Sequence, residues 1–162
     1  MVPSPKVATY DLQPGMSAPE LTERALEAIG SAEYDLIVLN FPNPDMVGHT
    51  GSLSAVIKAV EAVDLGLAKI VPAAQARGGA VFVTADHGNC ELMRDPVTGG
   101  SHTAHTTNLV PAILVGAGDL TLQDGRLSDI APTLLALMRL PIPAEMTGRS
   151  LAVDCVQRHS AA

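Results

Sequence analysis

Apolar positions along this chain follow two rhythms, a helical spacing of three and four residues and short unbroken aliphatic runs. Leu21, Ala25, Leu26 and Ile29 form the first helical stripe. Ser17-Ala18-Pro19-Glu20 precedes it as a capping-box pattern with an early proline, and Gly30 is the expected stop. Leu36-Ile37-Val38-Leu39-Asn40-Phe41 is nearly continuous and predicts a strand buried on both faces, ended by Pro42 and Pro44. Val56, Ile57, Val60, Val63, Leu67 and Ile70 predict a helix over 53–76, kinked or shortened at Pro72 and ended by Gly78-Gly79. A second buried strand, Ala80-Val81-Phe82-Val83-Thr84, follows.

Residues 95–108 are polar, Gly/Thr-rich and long for a connector, which marks a functional loop. Val110-Pro111-Ala112-Ile113-Leu114-Val115 is a third strand, whose Pro111 suggests an edge or a bulge. Ser128-Asp129-Ile130-Ala131-Pro132 opens a last helix through Leu134, Leu135 and Leu137. Residues 1–16 carry three prolines and predict an extended surface segment, 141–151 a Pro/Gly-punctuated stretch, and 152–162 a frayed tail. Helix, strand, helix, strand, loop, strand, helix implies a layered α/β domain with a mostly parallel sheet. In such sheets ligands gather outside the carboxyl ends of strands.

Five residues able to bind a metal sit at those ends or in the loop: Asp45, His49, Asp86, His87 and His105. The chain has five histidines, and four of them, His49, His87, His102 and His105, fall in three short segments. Asp45 and His49 are four apart, so one helical turn would put both on one face; the alternative is an ordinary turn with Asp45 as helix cap. Asp86-His87-Gly88 directly follows a strand, and a turn at Gly88 can converge both side chains on one ion; the alternative is a capping Asp and a His supporting another ligand. Of His102 and His105, one as a ligand is the simpler expectation. His159, in the tail, is expected to be idle. Carboxylate plus imidazole without thiolate favours Mn, Fe or Zn, and two adjacent divalent ions suit phosphoryl chemistry.

Composition narrows this further. At 162 residues the chain can enclose a sizeable core. Its aromatics are Tyr10, Tyr34, Phe41 and Phe82, too few for a base-stacking platform, and its net charge of −7 removes the basis for phosphate-backbone binding. No nucleic-acid partner is expected. Cys90 and Cys155 lie far apart with no CxxC spacing, as in a reduced cytosolic protein. Cys90 stands near Asp86-His87, but a small, partly buried role is the better expectation. No apolar run reaches membrane-span length, and the opening residues lack a signal-peptide core, so a cytoplasmic location without a membrane partner is expected.

What is missing is a nucleophile. Thr50, Ser52, Ser101, Thr103, Thr106 and Thr107 lie near the ligand segments, yet none sits at a strand-to-helix turn that would expose an activated hydroxyl. The arginines are scattered rather than clustered to grip phosphate.

Several segments resemble a known family. Residues 3–12 (PSPKVATYDL), 43–51 (NPDMVGHTG), 57–64 (IKAVEAVD), 84–89 (TADHGN), 103–108 (TAHTTN) and 143–151 (PAEMTGRSL) are similar to cofactor-independent (2,3-bisphosphoglycerate-independent) phosphoglycerate mutase. Asp-His-Gly alone would indicate only the wider alkaline phosphatase superfamily. The resemblance implies an alkaline-phosphatase-like layered α/β domain present only in part, with residues 1–151 as its carboxyl-terminal portion. It implies a glycolytic isomerase that interconverts 3-phosphoglycerate and 2-phosphoglycerate through a phosphoserine, using two Mn2+ ions.

By the same resemblance Asp45, His49 and His105 would hold one ion, and Asp86 and His87 part of the second. His102 matches no ligand of the family. The nucleophilic serine, an aspartate completing the second position and the phosphate-binding arginines belong to the part of the family this chain does not resemble. Gly15 stands where a glutamate is expected and Pro42 where alanine is usual. The chain alone is therefore expected to be inactive, with one complete ion position. The alternative is a non-catalytic remnant that associates with itself or with a separate amino-terminal half.

Overall fold

A computed structural model of the chain describes residues 1–154; Cys155, Arg158 and His159 lie outside the described residues. The chain divides into two compact units, a division the hydrophobic pattern does not announce. One comprises residues 1–78 and 87–110, the other 79–86 and the chain from 111 onward.

The first unit is helical. Helix α1 (Ala18–Ser31) and helix α3 (Leu53–Ala76) pack against each other, and short helix α2 (Asn43–Gly48) packs on α3. The expected capping box does not form: the Ser17 hydroxyl donates instead to the Pro3 carbonyl at 2.6 Å, tying down the amino-terminal segment. That segment is not wholly superficial. It makes a 3-10 turn at Tyr10–Leu12 and delivers Met16 into a core with Val47, Ala55, Val56 and Ala59. Gly30 does not end α1; Ala32, in the left-handed region at φ 57°, does. α3 runs through Pro72 to Ala76, so the proline neither ends nor shortens it.

The strand expected over 36–41 is absent. That stretch makes no ladder with any described strand, and Leu36, Ile37 and Val38 are 49%, 38% and 82% exposed. A strand exists only through hydrogen bonds to a neighbour, and an apolar run cannot supply the neighbour itself.

In the second unit, β1 (Val81–Thr84) pairs antiparallel with β2 (Ala112–Val115), and β3 (Leu120–Leu122) pairs antiparallel with β4 (Ala152–Asp154). The mix of helix and strand agrees with the expected class, but the mostly parallel sheet does not appear, since both described ladders are antiparallel. β1 is half-buried rather than enclosed, and Ile113 on β2 is 50% exposed. Strand β4 occupies the first residues of the expected frayed tail. Pro111 stands just before β2, where its missing N–H costs no ladder bond. A 3-10 turn at Leu127–Asp129 leads into helix α4 (Ile130–Leu137). Here Asp129 accepts the backbone N–H groups of Arg149 and Arg126 at 2.9 and 2.8 Å, and these bonds hold its carboxyl below the usual range. The fully buried Thr133 hydroxyl donates to the Asp129 carbonyl at 2.6 Å and accepts the Leu151 N–H at 2.9 Å.

Candidate metal centre

The run Asn43-Pro44-Asp45-Met46-Val47-Gly48 becomes α2 because Pro44 sits in its first turn, where a missing N–H is harmless. Asp45 is inside this helix rather than capping it, and His49 closes it, so the helical-turn reading of their spacing is the one realised. The 87–110 stretch of the same unit supplies the rest. Residues 94 and 101 pair across a turn that Asp95 folds by accepting the N–H groups of Val97 and Thr98. The chain then returns, and Thr106 bridges to Gly88.

This return brings three ligand atoms together. Asp45 Oδ1 lies 3.2 Å from His49 Nε2 and 3.0 Å from His105 Nε2, and the two nitrogens are 3.1 Å apart. Among the described residues this is the one group of three such side chains. The His49 Nδ1 lies 2.7 Å from the Thr103 carbonyl, which can only accept, so Nδ1 carries the proton and Nε2 presents a lone pair. The His105 Nε2 either donates a proton to His49 Nε2 and Asp45 Oδ1 or, as the other tautomer, joins them as a third lone-pair atom toward a cation. Ligand atoms about 2.1 Å from one first-row ion stand roughly 3.0–3.4 Å apart, so the donor set and its edges fit a single cation.

The surroundings hold this triangle. Asn89, 5% exposed, donates from Nδ2 to Asp45 Oδ1 at 2.7 Å. A Cβ on Gly48 would collide with the Asn89 amide, so that approach requires glycine. The Asn89 N–H donates to Glu91 Oε2 at 2.6 Å, and Glu91 Oε1 accepts from Asn108 Nδ2 at 2.9 Å and from the Thr106 hydroxyl. Burial pushes the Glu91 carboxyl upward, but hydrogen bonds from Thr106, its own backbone, Asn108 and Asn89 outweigh it and hold it below the usual range. Burial, then the charges of Glu91 and Asp45, raise the Cys90 thiol, which packs against the core as an inert group.

The other sequence candidates are not members of this group of three. The His87 ring stacks on His105 with centroids 3.8 Å apart but contributes no atom to the group of three. Asp86 leaves β1 as an exposed residue of the second unit. His102 is half-buried and outside the group. Nearby hydroxyls are engaged elsewhere: Thr50 donates to the Val47 carbonyl and Thr106 to Glu91. The sequence motif containing Asn89 does not by itself give that residue a role, and the only sequence signal for Glu91 is an acid two residues beyond the motif asparagine.

Comparison with known proteins agrees with this chemistry. Residues 1–142 match the Metalloenzyme superfamily. The chain is 72% identical over 151 residues to a 2,3-bisphosphoglycerate-independent phosphoglycerate mutase of Rhodopseudomonas palustris, covering 93% of this chain and 30% of that protein. A protein of the same name from Gluconobacter oxydans is 67% identical over 151 residues, with the same coverage. A crystal structure of Leishmania mexicana phosphoglycerate mutase at low cobalt concentration superposes with a TM-score of 0.85 at 36% identity, over 94% of this chain and 31% of that one. The chain thus spans about 30% of the length of the curated relatives it matches.

Proposed function

The chain belongs to the metalloenzyme superfamily and carries part of an alkaline-phosphatase-like α/β fold, and from that premise we propose that Asp45, His49 and His105 hold one divalent cation of a phosphoglycerate mutase. The near-equilateral triangle of Asp45 Oδ1, His49 Nε2 and His105 Nε2 carries this reading. One carboxylate and two imidazoles suit Mn2+, Fe or Zn2+ better than Ca2+ or Mg2+, and among these Mn2+ is proposed on the family resemblance. A cation there would polarise a phosphoryl oxygen as a Lewis acid. The chain's own contribution is orientation: the Thr103 carbonyl fixes the His49 tautomer, and Asn89 turns the Asp45 carboxylate inward.

Asp86 and His87 are proposed as part of a second ion position. The remaining ligand and the nucleophilic serine are proposed to come from the portion of the longer relatives that this chain does not span. The reaction of the whole is then the glycolytic interconversion of 3-phosphoglycerate and 2-phosphoglycerate, in the cytoplasm. The isolated chain binds one Mn2+ weakly and has no mutase activity. Calorimetric titration should give one site that His105→Ala and His49→Ala each abolish; a titration unchanged by His105→Ala overturns the assignment. Conversion of 3- to 2-phosphoglycerate by the chain alone would overturn the claim of inactivity.

A second reading rests on the first unit's surface. Leu53, Ile57 and Val60 form an exposed apolar stripe on α3, and Leu36, Ile37 and Val38 are exposed as well. Such a surface is one that a missing portion, or a second copy, would cover. Light scattering with and without Mn2+ separates the readings, because a non-catalytic remnant forms oligomers indifferent to metal.

A further inference from the structure

The triangle joins two segments far apart in sequence, with His49 and His105 separated by 56 residues. Something must keep α2 and the returning loop in register to within a fraction of an ångström, for ligand geometry tolerates little more. Besides the direct hydrogen bond of His49 Nδ1 to the Thr103 carbonyl, a set of contacts across this gap converges on one side chain. Glu91 Oε2 accepts the Asn89 N–H, and the Asn89 side chain reaches Asp45 Oδ1. Glu91 Oε1 accepts the Thr106 hydroxyl and the Asn108 amide, the first of these immediately following His105. The Thr106 N–H donates to the Gly88 carbonyl at 2.8 Å, closing the loop onto the same segment. A Cβ on Gly88 would press on the Thr106 hydroxyl and stand 2.5 Å from Glu91 Oε1, so the knot is built around a bare backbone.

We infer that Glu91 is a positioning residue for the cation site, its carboxylate holding the Asn89 that steers Asp45 and the loop that carries His105. The inference rests on the metal reading above. The carboxylate accepts all three donors as they stand. A glutamine whose oxygen keeps the fixed Asn89 N–H turns its NH2 toward Thr106 and Asn108, so the hydroxyl must turn to accept and the Asn108 amide must flip, and the present arrangement is lost. The side chain therefore acts through other residues and need not touch the ion.

The test uses the chain with Mn2+ as the probe, comparing wild type, Glu91→Gln, Thr106→Val, Thr106→Ser and His49→Ala. Glu91→Gln and Thr106→Val should each weaken Mn2+ binding about ten-fold, while Thr106→Ser, which restores the hydroxyl, binds like wild type. Thr106→Val keeps the side-chain shape, so rescue by serine separates positioning from packing. Amide hydrogen exchange without metal gives an independent reading: Glu91→Gln should speed exchange at Asn89 and Thr106 while leaving α3 unchanged. Equal affinities for wild type, Glu91→Gln and Thr106→Val, with His49→Ala still disrupting binding, overturn the inference alone. If no variant and not even wild type binds Mn2+, the metal reading fails, and unchanged exchange at Asn89 and Thr106 then overturns the positioning role as well.

Discussion

Gly48→Ala is a substitution whose sign the structure decides. Gly48 is the last residue of α2, and in a helix alanine is favoured over glycine by roughly 0.5–1 kcal/mol. Against this, the new methyl group would occupy the place of the Asn89 amide, whose Nδ2 donates to Asp45 Oδ1 at 2.7 Å. Hydrogen bonds to charged groups contribute about 1.5–3 kcal/mol, and the lower half applies because the Asp45 side chain is 32% exposed. Asn89 is itself buried, so its displaced amide loses a partner without gaining water. The costs exceed the gain, and the first unit should be destabilised by about 1–2 kcal/mol. With a urea dependence of about 2 kcal/mol per M, the middle of the usual range, the midpoint falls by roughly 0.5–1 M. The chain has no Trp, and both tyrosines, Tyr10 and Tyr34, belong to this unit, so tyrosine fluorescence reports its unfolding. In an Asn89→Ala background the collision is gone, and Gly48→Ala should become neutral or stabilising. A raised midpoint in the otherwise native chain, or an identical shift in both backgrounds, would refute the argument.

Two further outcomes follow from the second unit and from the acidic groups. Thr133→Val preserves shape but leaves the Leu151 N–H buried without an acceptor, a loss of about 1–3 kcal/mol; faster hydrogen exchange at Leu151 is the expected readout, and unchanged exchange contradicts it. Glu91 and Asp129 both titrate below their ordinary values in the folded chain, so their stabilisation is complete above the usual carboxylate range and is lost as pH falls through it toward their folded values. The urea midpoint should therefore decline below about pH 4, and Asp129→Asn should make that decline shallower; an equally steep decline would remove Asp129 from the account.

Helical periodicity located α1, α3 and α4, because those stripes reflect burial against near neighbours. Spacing also paired Asp45 with His49, and the family resemblance, not spacing, chose His105 over His102; the structure gathers the ligand atoms of these three. The apolar run 36–41 misled because hydrophobicity states a need for cover without saying whether a partner strand is at hand. β3 and β4, three residues each, are too short to show a period, and their pairing joins positions about thirty residues apart. Glu91 stayed invisible for a related reason. Its partners Thr106 and Asn108 lie 15 and 17 residues away, and a hydrogen-bond network leaves no rhythm in the chain.

The chain leaves the first unit at Gly78 and re-enters it at His87, and this path constrains how it can be made. During synthesis α1, α2 and α3 emerge before β1 and can pack with one another, but Asp45 and His49 wait for His105. Strand β1 emerges between these events and must wait in turn for β2 at Ala112–Val115. For an interval in translation, then, an aliphatic strand without its ladder and a half-assembled ligand set coexist on one nascent polypeptide. Early metal capture by two ligands, or early pairing of the strand with another chain, would compete with correct assembly. The knot at Glu91 can close once Thr106 and Asn108 are available and completes the ligand set, while β1 still waits for Ala112–Val115.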